Sequence, residues 1–404
     1  MKKIILFIGD TALLYFSLYG SLTIRSAPWS SLFWPFTLIF ALSLLVFFIA
    51  GLYDEQDKLT FYSLLWKSLA INTALAIFIF YLSSTAPKRI LLFQVIIFAL
   101  MFLVWRNLWK MVIKKFPEHT LFIGKPPQEL AKENFIVVDR IFNFKKLIQN
   151  KHIEAVVFGS NPHLNPAAIA ELFQCLPIKF MDLPTFFEKY YKKIPISNVS
   201  RVWFLENINQ KRAYEIGKRI LDLIVSALGL ISLPLWAIIA LLIKWDSPGG
   251  VFYQQIRIGK NNKKFSVIKF RTMIENAEKG KAQWAQKNDP RITRIGKLLR
   301  KTRLDELPQL LNILKNDMSL IGPRPERPEF IENLKKQIPY YEIRHLIKPG
   351  LTGWAQIKYK YGNSLEDSKE KLRYDLFYIK NRSLILDLAI ILKTIKTVLA
   401  GNGS

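Results

Sequence analysis

The sequence predicts a membrane protein of mixed α and α/β class in three parts. These are a four-helix transmembrane block over residues 1–115, a small degenerate Rossmann-like α/β domain over 116–208, and a mainly α, monotopic domain with a re-entrant membrane helix over 209–404. Three observations carry this. Four apolar segments follow one another at the start of the chain. Short β-prone runs alternate with helical stretches between His119 and Leu205. An apolar stretch broken at Ser232-Leu233-Pro234 then leads into a basic region that holds two adjacent carboxylates, Asp305 and Glu306.

A chain of 404 residues exceeds one ordinary domain. Half of it is hydrophobic, and the formal net charge is +27. A basic excess that accompanies long apolar runs points to anionic headgroups and anionic substrates; nucleic acid is the competing reading of the charge and is not expected as a partner. Most of the excess follows Gln210, so it belongs to the C-terminal part. Cys175 is the only cysteine, which excludes an intrachain disulfide and a thiolate metal site. Lys2-Lys3 and the apolar run after them resemble a signal peptide, but no small-residue cleavage site follows, and a retained helix is expected.

The apolar segments are about Ile4–Leu22, Leu32–Tyr53, Phe61–Leu82 and Ile90–Val112. Each is close to the ~20 residues that a helix needs to cross the hydrocarbon core. Trp29, Trp34, Tyr53, Tyr62, Trp66, Trp105 and Trp109 fall near their ends, as interfacial aromatics do. Lys2, Lys3, Arg106, Lys110, Lys114 and Lys115 place both ends of the block on the cytoplasmic side.

Beyond them, Leu121–Ile123, Phe135–Val138, Ala155–Phe158 and Ile178–Met181 read as short buried strands, with helical stretches around Phe144–Asn150 and Pro166–Cys175. A nucleotide fingerprint needs Gly-x-Gly-x-x-Gly after the first strand. Gly124 is followed instead by Lys125-Pro126-Pro127, so a structural or regulatory role is expected for this unit.

Ile220–Ile243 is apolar and flanked by Lys218 and Arg219 before it and by Lys244 after it. Pro234 removes a backbone donor and clashes with the preceding turn. Each half, at roughly 18 Å, is too short to cross ~30 Å of hydrocarbon. Basic flanks at both ends favour a helix, about 219–244, that enters the membrane, turns at Ser232 and Pro234 and returns to the same face.

The stretch Arg291–Lys315 has leucines near helical spacing among Arg300, Arg303 and other cations, as a basic amphipathic helix on anionic lipid would. Asp305 and Glu306 do not fit that face. Adjacent helical residues point about 100° apart, so separate roles are expected, one acid facing phosphorus and the other a metal ion. Lys269 and Arg271 alternate on a predicted strand and form a candidate phosphate clamp. Arg324 and Arg327 sit on the proline-fixed loop Gly322–Pro328, which suits bidentate phosphate contacts. His345 is lone and is expected to be structural. Leu384–Leu399 reads as an interfacial helix.

The Lys-Arg pair before the broken helix, Asp246-Ser247-Pro248-Gly249, Lys269-Phe270-Arg271-Thr272-Met273, Leu304-Asp305-Glu306-Leu307-Pro308-Gln309-Leu310, Gly322-Pro323-Arg324-Pro325 and Pro349-Gly350-Leu351-Thr352-Gly353-Trp354-Ala355-Gln356 occur in this order. Together they resemble the bacterial sugar transferases, and more narrowly the large monotopic phosphoglycosyl transferases, over Lys211 to Leu399. The four-helix block and the α/β unit resemble that family's N-terminal extension less specifically.

The resemblance implies that Asp305 attacks the β-phosphorus of a UDP-sugar and that polyprenyl (undecaprenyl) phosphate then takes the sugar phosphate. It implies Mg²⁺ on Glu306, and phosphates held by Lys269, Arg300 and Arg324. It also implies a homodimer and a catalytic domain on the cytoplasmic face of a bacterial inner membrane. Two departures stand out: Leu233 intervenes in the family's Ser-Pro break, and Asn316 replaces a common glycine. The competing expectations are a membrane-bound nucleotide-sugar dehydratase, because such enzymes also join four helices to a Rossmann-type domain, and a non-catalytic scaffold of polysaccharide assembly. The Tyr214-x-x-x-Lys218 match to the former is read as coincidence, since the glycine fingerprint is missing.

Overall fold

The computed structural model describes residues 2–49 apart from 26–28, then 52–53 and 88–112, short pieces between 120 and 159, and 179–399 apart from 200, 209–210, 276, 278–288, 360–361 and 363. The chain forms two compact units, Met1–Pro117 and Glu118–Ser404.

In the first unit, α1 (Lys2–Arg25), α2 (Trp29–Ile49) and α3 (Lys88–Val112) match three of the four expected apolar segments. The segment expected over Phe61–Leu82 lies outside the described residues. Ile4–Ile24 and Ile90–Trp109 are long and apolar enough to cross a membrane. The helices close on a core of Phe36, Phe40, Phe47, Phe98 and Phe102. Inside it, Arg106 lies 2.5 Å from Asp10 and donates to the Leu52 carbonyl. A charge among apolar helices persists only when paired in this way.

The second unit opens with four short parallel strands, β1 (Thr120–Ile123), β2 (Ile136–Val138), β3 (Ala155–Phe158) and β4 (Lys179–Asp182), ordered β2-β1-β3-β4. All four fall where the apolar runs predict them. The helices expected around 144–150 and 166–175, and Cys175, lie outside the described residues. Helix α4 (Leu183–Tyr191) starts at Asp182, whose side chain accepts from the Thr185 amide, and a short α5 (Arg201–Asn207) follows. Glu188 on α4 accepts from Lys380, and Lys193 pairs with Glu370, so the sheet region packs against the C-terminal helices.

The broken helix is present as α6 (Arg212–Gly229), a 3₁₀ turn at Leu230–Ser232, and α7 (Leu233–Asp246). The Ser232 hydroxyl donates to the Gly229 carbonyl at 2.6 Å and accepts from the Trp236 indole at 2.9 Å. Those bonds re-satisfy polar groups at the proline break. Most of its surface is exposed and apolar, including Ile220, Leu228, Ile231, Leu235 and Leu241. A soluble protein rarely leaves such a stripe open, and with the apolar helices of the first unit it marks a membrane-associated protein.

Both arms are fastened to the same body. On α6, Asp222 accepts from the Ser319 hydroxyl and the Leu320 amide, and Arg219 donates to the carbonyls of Ile313 and Leu314. On α7, Trp236 packs edge-on against Phe270, and Asp246 accepts from the Ile295 amide.

An antiparallel hairpin follows, β5 (Phe252–Ile258) with β6 (Lys264–Phe270), in a register that sets Tyr253 opposite Lys269. Helix α8 (Arg294–Thr302) begins at Thr293, whose hydroxyl accepts from the Gly296 amide. Then come α9 (Gln309–Leu314), β7 (Ser319–Ile321), α10 (Pro328–Gln337), β8 (Gly350–Thr352), α11 (Trp354–Lys358), α12 (Leu365–Asn381) and α13 (Leu384–Leu399). The helix expected across Arg291–Lys315 is not continuous. Arg303 takes a left-handed conformation (φ 60°), which ends α8 and starts a separate 3₁₀ turn, Leu304–Glu306. Asn316 has φ 72°, a conformation that asparagine tolerates well.

Candidate active site

The break at Arg303 lifts Asp305 and Glu306 out of the amphipathic face and onto a tight turn, where both carboxyls are buried. Glu306 Oε1 accepts from Arg303 Nη1 at 3.1 Å and from Arg324 Nη2 at 2.8 Å. Asp305 Oδ1 is buried and has no hydrogen-bond partner. Lys269, on β6, acts on both acids through its charge, and its ammonium lies 5.1 Å from the centre of the Tyr253 ring.

Burial works to raise both carboxyls, and the two respond oppositely. For Asp305, burial and the neighbouring Glu306 charge outweigh Lys269, Arg300 and Arg324, and its pKa rises. For Glu306, Arg324 and Arg303 outweigh burial and hold it below the usual range. Burial pushes Lys269 down to about 8, with Arg257, Arg300 and Arg324 adding to the fall and Asp305 opposing it. Two adjacent acids with divergent proton affinities suit two different tasks.

Arg300 Nε donates to Thr272 Oγ1 at 2.8 Å, which ties α8 to the end of the hairpin. That approach depends on Gly296, where a Cβ would come within 2.1 Å of the Thr272 carbonyl oxygen. Arg271 does not share the clamp expected for it with Lys269. The strand ends at Phe270, so the two cations do not alternate on one ladder. Instead the Arg271 guanidinium donates to the carbonyls of Ser247 and Pro248 and holds the turn after α7. Arg327 stands at the start of α10, 5.6 Å from the Phe330 ring and beside Glu329, while Arg324 alone of the loop pair binds Glu306.

Three contributors have no motif of their own. Arg257 on β5 donates to the Pro325 carbonyl, and Arg344 donates to the Arg324 carbonyl. Asn312 bridges α9 to β6 through the Ser266 carbonyl and the Ile268 amide. The alternation of Tyr253, Gln255 and Arg257 along β5 is the one sequence signal that could have found Arg257.

Tyr214 and Lys218 converge on the fully buried Asp387, as does Tyr378, which gives that motif a structural job. A cleft of about 330 Å³ beside them, lined by Lys218, Arg219 and Lys348, lies apart from Asp305. Its cations are engaged by Asp387, by the Ile313 and Leu314 carbonyls and by Asn316, so it is a seam under α6. His345 bonds Asn262 and takes no part in the acid pair. Among the described residues no three carboxylates or histidines cluster as a ready-made metal site.

The bacterial sugar transferase family matches residues 213–401. Over 192 residues the chain is 46% identical to the UDP-N-acetylgalactosamine-undecaprenyl-phosphate N-acetylgalactosaminephosphotransferase of Aeromonas hydrophila, covering 47% of this chain and 45% of that protein. It is 39% identical over 210 residues to the UDP-glucose:undecaprenyl-phosphate glucose-1-phosphate transferase of Xanthomonas campestris pv. campestris, covering 51% and 43%. A Caulobacter vibrioides protein of the same name as the latter is 39% identical over 190 residues, which cover 46% of this chain and 71% of that protein. The matches thus span less than half the length of the first two relatives. The family match runs from α6 to α13 and takes in every residue of the acid-pair site. The chain belongs to the bacterial sugar transferase family.

Proposed function

We propose that this protein transfers a sugar-1-phosphate from a UDP-sugar to polyprenyl phosphate, with Asp305 as nucleophile. The observation that carries this is the divided acid pair. One buried carboxyl has an unpartnered oxygen and faces a lysine, and its neighbour is clamped by two arginines. The names of the relatives, which specify UDP-sugar donors and undecaprenyl phosphate, support the same reading.

An Asp305 oxygen attacks the β-phosphorus in line with the bridging oxygen. The phosphorus–oxygen bond to the α-phosphate breaks, and UMP leaves with that oxygen and its electron pair. A phosphate oxygen of the polyprenyl carrier then attacks the same phosphorus, and the Asp305 carboxylate leaves. Covalent relay splits one displacement between anions into two. Lys269, Arg300 and Arg324 hold phosphate oxygens, where developing charge needs fixed cations.

The donor set fits Mg²⁺, a hard cation that is commonly bound by one or two carboxylates with the rest of its shell from phosphates and water. Glu306, both of whose arginines lie on Oε1, would hold it beside the substrate diphosphate. When bound, the ion offsets charge repulsion between the anions.

The reaction belongs at the cytoplasmic face of the inner membrane, with α6 and α7 as a re-entrant pair. Attachment of both arms to one body supports this. In a Cys175→Ser background, single cysteines at Glu206 and Gly250 are expected to react with an impermeant maleimide from the same side. Labelling from opposite sides would mean that the helix spans. For the activity, purified protein with Mg²⁺, polyprenyl phosphate and separate UDP-sugars, UDP-glucose and UDP-N-acetylgalactosamine first, is expected to release UMP. Folded protein that releases none from any donor would instead favour a scaffold.

A further inference from the structure

We infer that Arg344, held by Asp375, is a positioning residue for Arg324, so that the working site extends to a buried ion pair outside the substrate's reach. The inference rests on the proposed transferase reading.

The Arg324 side chain is 42% exposed, so its neighbours cannot pack it into place. Its Nη2 is bonded to Glu306, and the main chain sets the point from which the side chain reaches that bond. That main chain lies between Pro323 and Pro325, whose rings fix φ and leave few ways to adjust. The loop is held at four successive carbonyls or amides. The Gly322 amide donates to the Thr352 carbonyl, and the Pro323 carbonyl accepts from the Gly350 amide. The Arg324 carbonyl accepts from Arg344 Nη2 at 2.9 Å, and the Pro325 carbonyl from Arg257 Nη1 at 3.1 Å. The contact at Arg324 itself is thus made by a side chain.

Arg344 is in turn fixed on two further sides. Nη1 donates to the Tyr341 hydroxyl at 2.5 Å, and Nη2 lies 3.0 Å from Asp375 Oδ2. Arg344 and Asp375 are 6% and 2% exposed. Burying two such charges costs desolvation that their attraction barely offsets, and an apolar pair would often hold α12 against the Tyr341–Leu346 turn as well. An apolar pair could not donate to the Arg324 carbonyl. The guanidinium is a rigid planar fork, so it can meet a carboxylate and a carbonyl at once, which a lysine cannot do with the same geometry. From Asp375 to Arg344, to the Arg324 main chain, to Glu306 Oε1, each link is a polar contact of 3.0 Å or less.

The test is a double-mutant cycle on the full chain in nanodiscs, read as UMP release and as single-turnover formation of the protein–phosphosugar adduct. Arg344→Gln alone is expected to lower kcat 10- to 100-fold and leave KM for the UDP-sugar within about threefold, because a misaimed Arg324 is felt after binding. In an Arg324→Ala background the same change is expected to cost less than threefold more. Arg344→Lys should recover part of the loss. Asp375→Asn, nearly isosteric, repeats the cycle if Arg344→Gln does not fold. Multiplicative losses in either cycle, in an active wild type, overturn the positioning role and leave the transferase reading standing. A wild-type chain that releases no UMP overturns both.

Discussion

Asp305→Asn is expected to lose the covalent phosphosugar adduct, seen by mass spectrometry, and to lower UMP release by roughly four orders of magnitude or more, the scale set by removing a nucleophile from a covalent mechanism. The amide keeps the shape of the side chain and cannot attack phosphorus. The same change is expected to stabilise the fold. The Asp305 pKa is raised by burial and by Glu306, so the folded chain holds that proton more tightly than the unfolded chain does. Stability from such a group is present at low pH and is lost as the pH rises from the unfolded value through the folded one. At neutral pH the ionised carboxylate therefore destabilises the protein, and removing it should return about 1–3 kcal/mol. A higher melting temperature together with lost turnover would identify a group kept for chemistry. An adduct that persists in Asp305→Asn would place the nucleophile elsewhere.

Asp387→Ala is expected to destabilise the second unit by about 3–5 kcal/mol, the range for removing one partner of a buried ion pair. Asp387 is fully buried on α13 and accepts from Lys218, Tyr214 and Tyr378 at 2.8–3.0 Å. Without it, the buried ammonium of Lys218 loses its ion-pair partner and keeps the Tyr378 hydroxyl, at 3.3 Å, and the faces of the Tyr214 and Tyr378 rings. The double variant Asp387→Ala with Lys218→Met should recover most of the loss, because it removes both charges. Thermal melting in nanodiscs reads both. A single variant that melts with the wild type would mean that water, rather than Asp387, satisfies Lys218.

The strands β1 and β3 were legible because runs such as Ala155–Phe158 are short, apolar and β-branched, and a buried parallel strand needs nothing more. The broken helix was legible from Pro234, since its effect on the backbone is local and steric. The break at Arg303 was not. Leucines continue at near-helical spacing on both sides of it, and a left-handed arginine carries no compositional mark. Alternation places Arg271 beside Lys269, but that rule fails one residue past the end of a ladder. Arg344 was hidden for a different reason. Its work is done at a main-chain carbonyl 20 residues away in sequence, and pattern reasoning sees side chains.

The guanidinium of Arg219 bonds the carbonyls of Ile313 and Leu314, at the far end of the helix that begins three residues after Glu306. On the proposed reading, a membrane-inserted segment is thereby bolted to the helix that directly follows the turn carrying the nucleophile. Vertical displacement of α6 in the bilayer would carry the acid pair with it, like a tool on a depth gauge. In that reading the phosphate of the polyprenyl carrier would be confined to the headgroup layer by its own lipid tail. Acid pair and acceptor phosphate would then meet at one height, because protein and lipid would measure from the same plane.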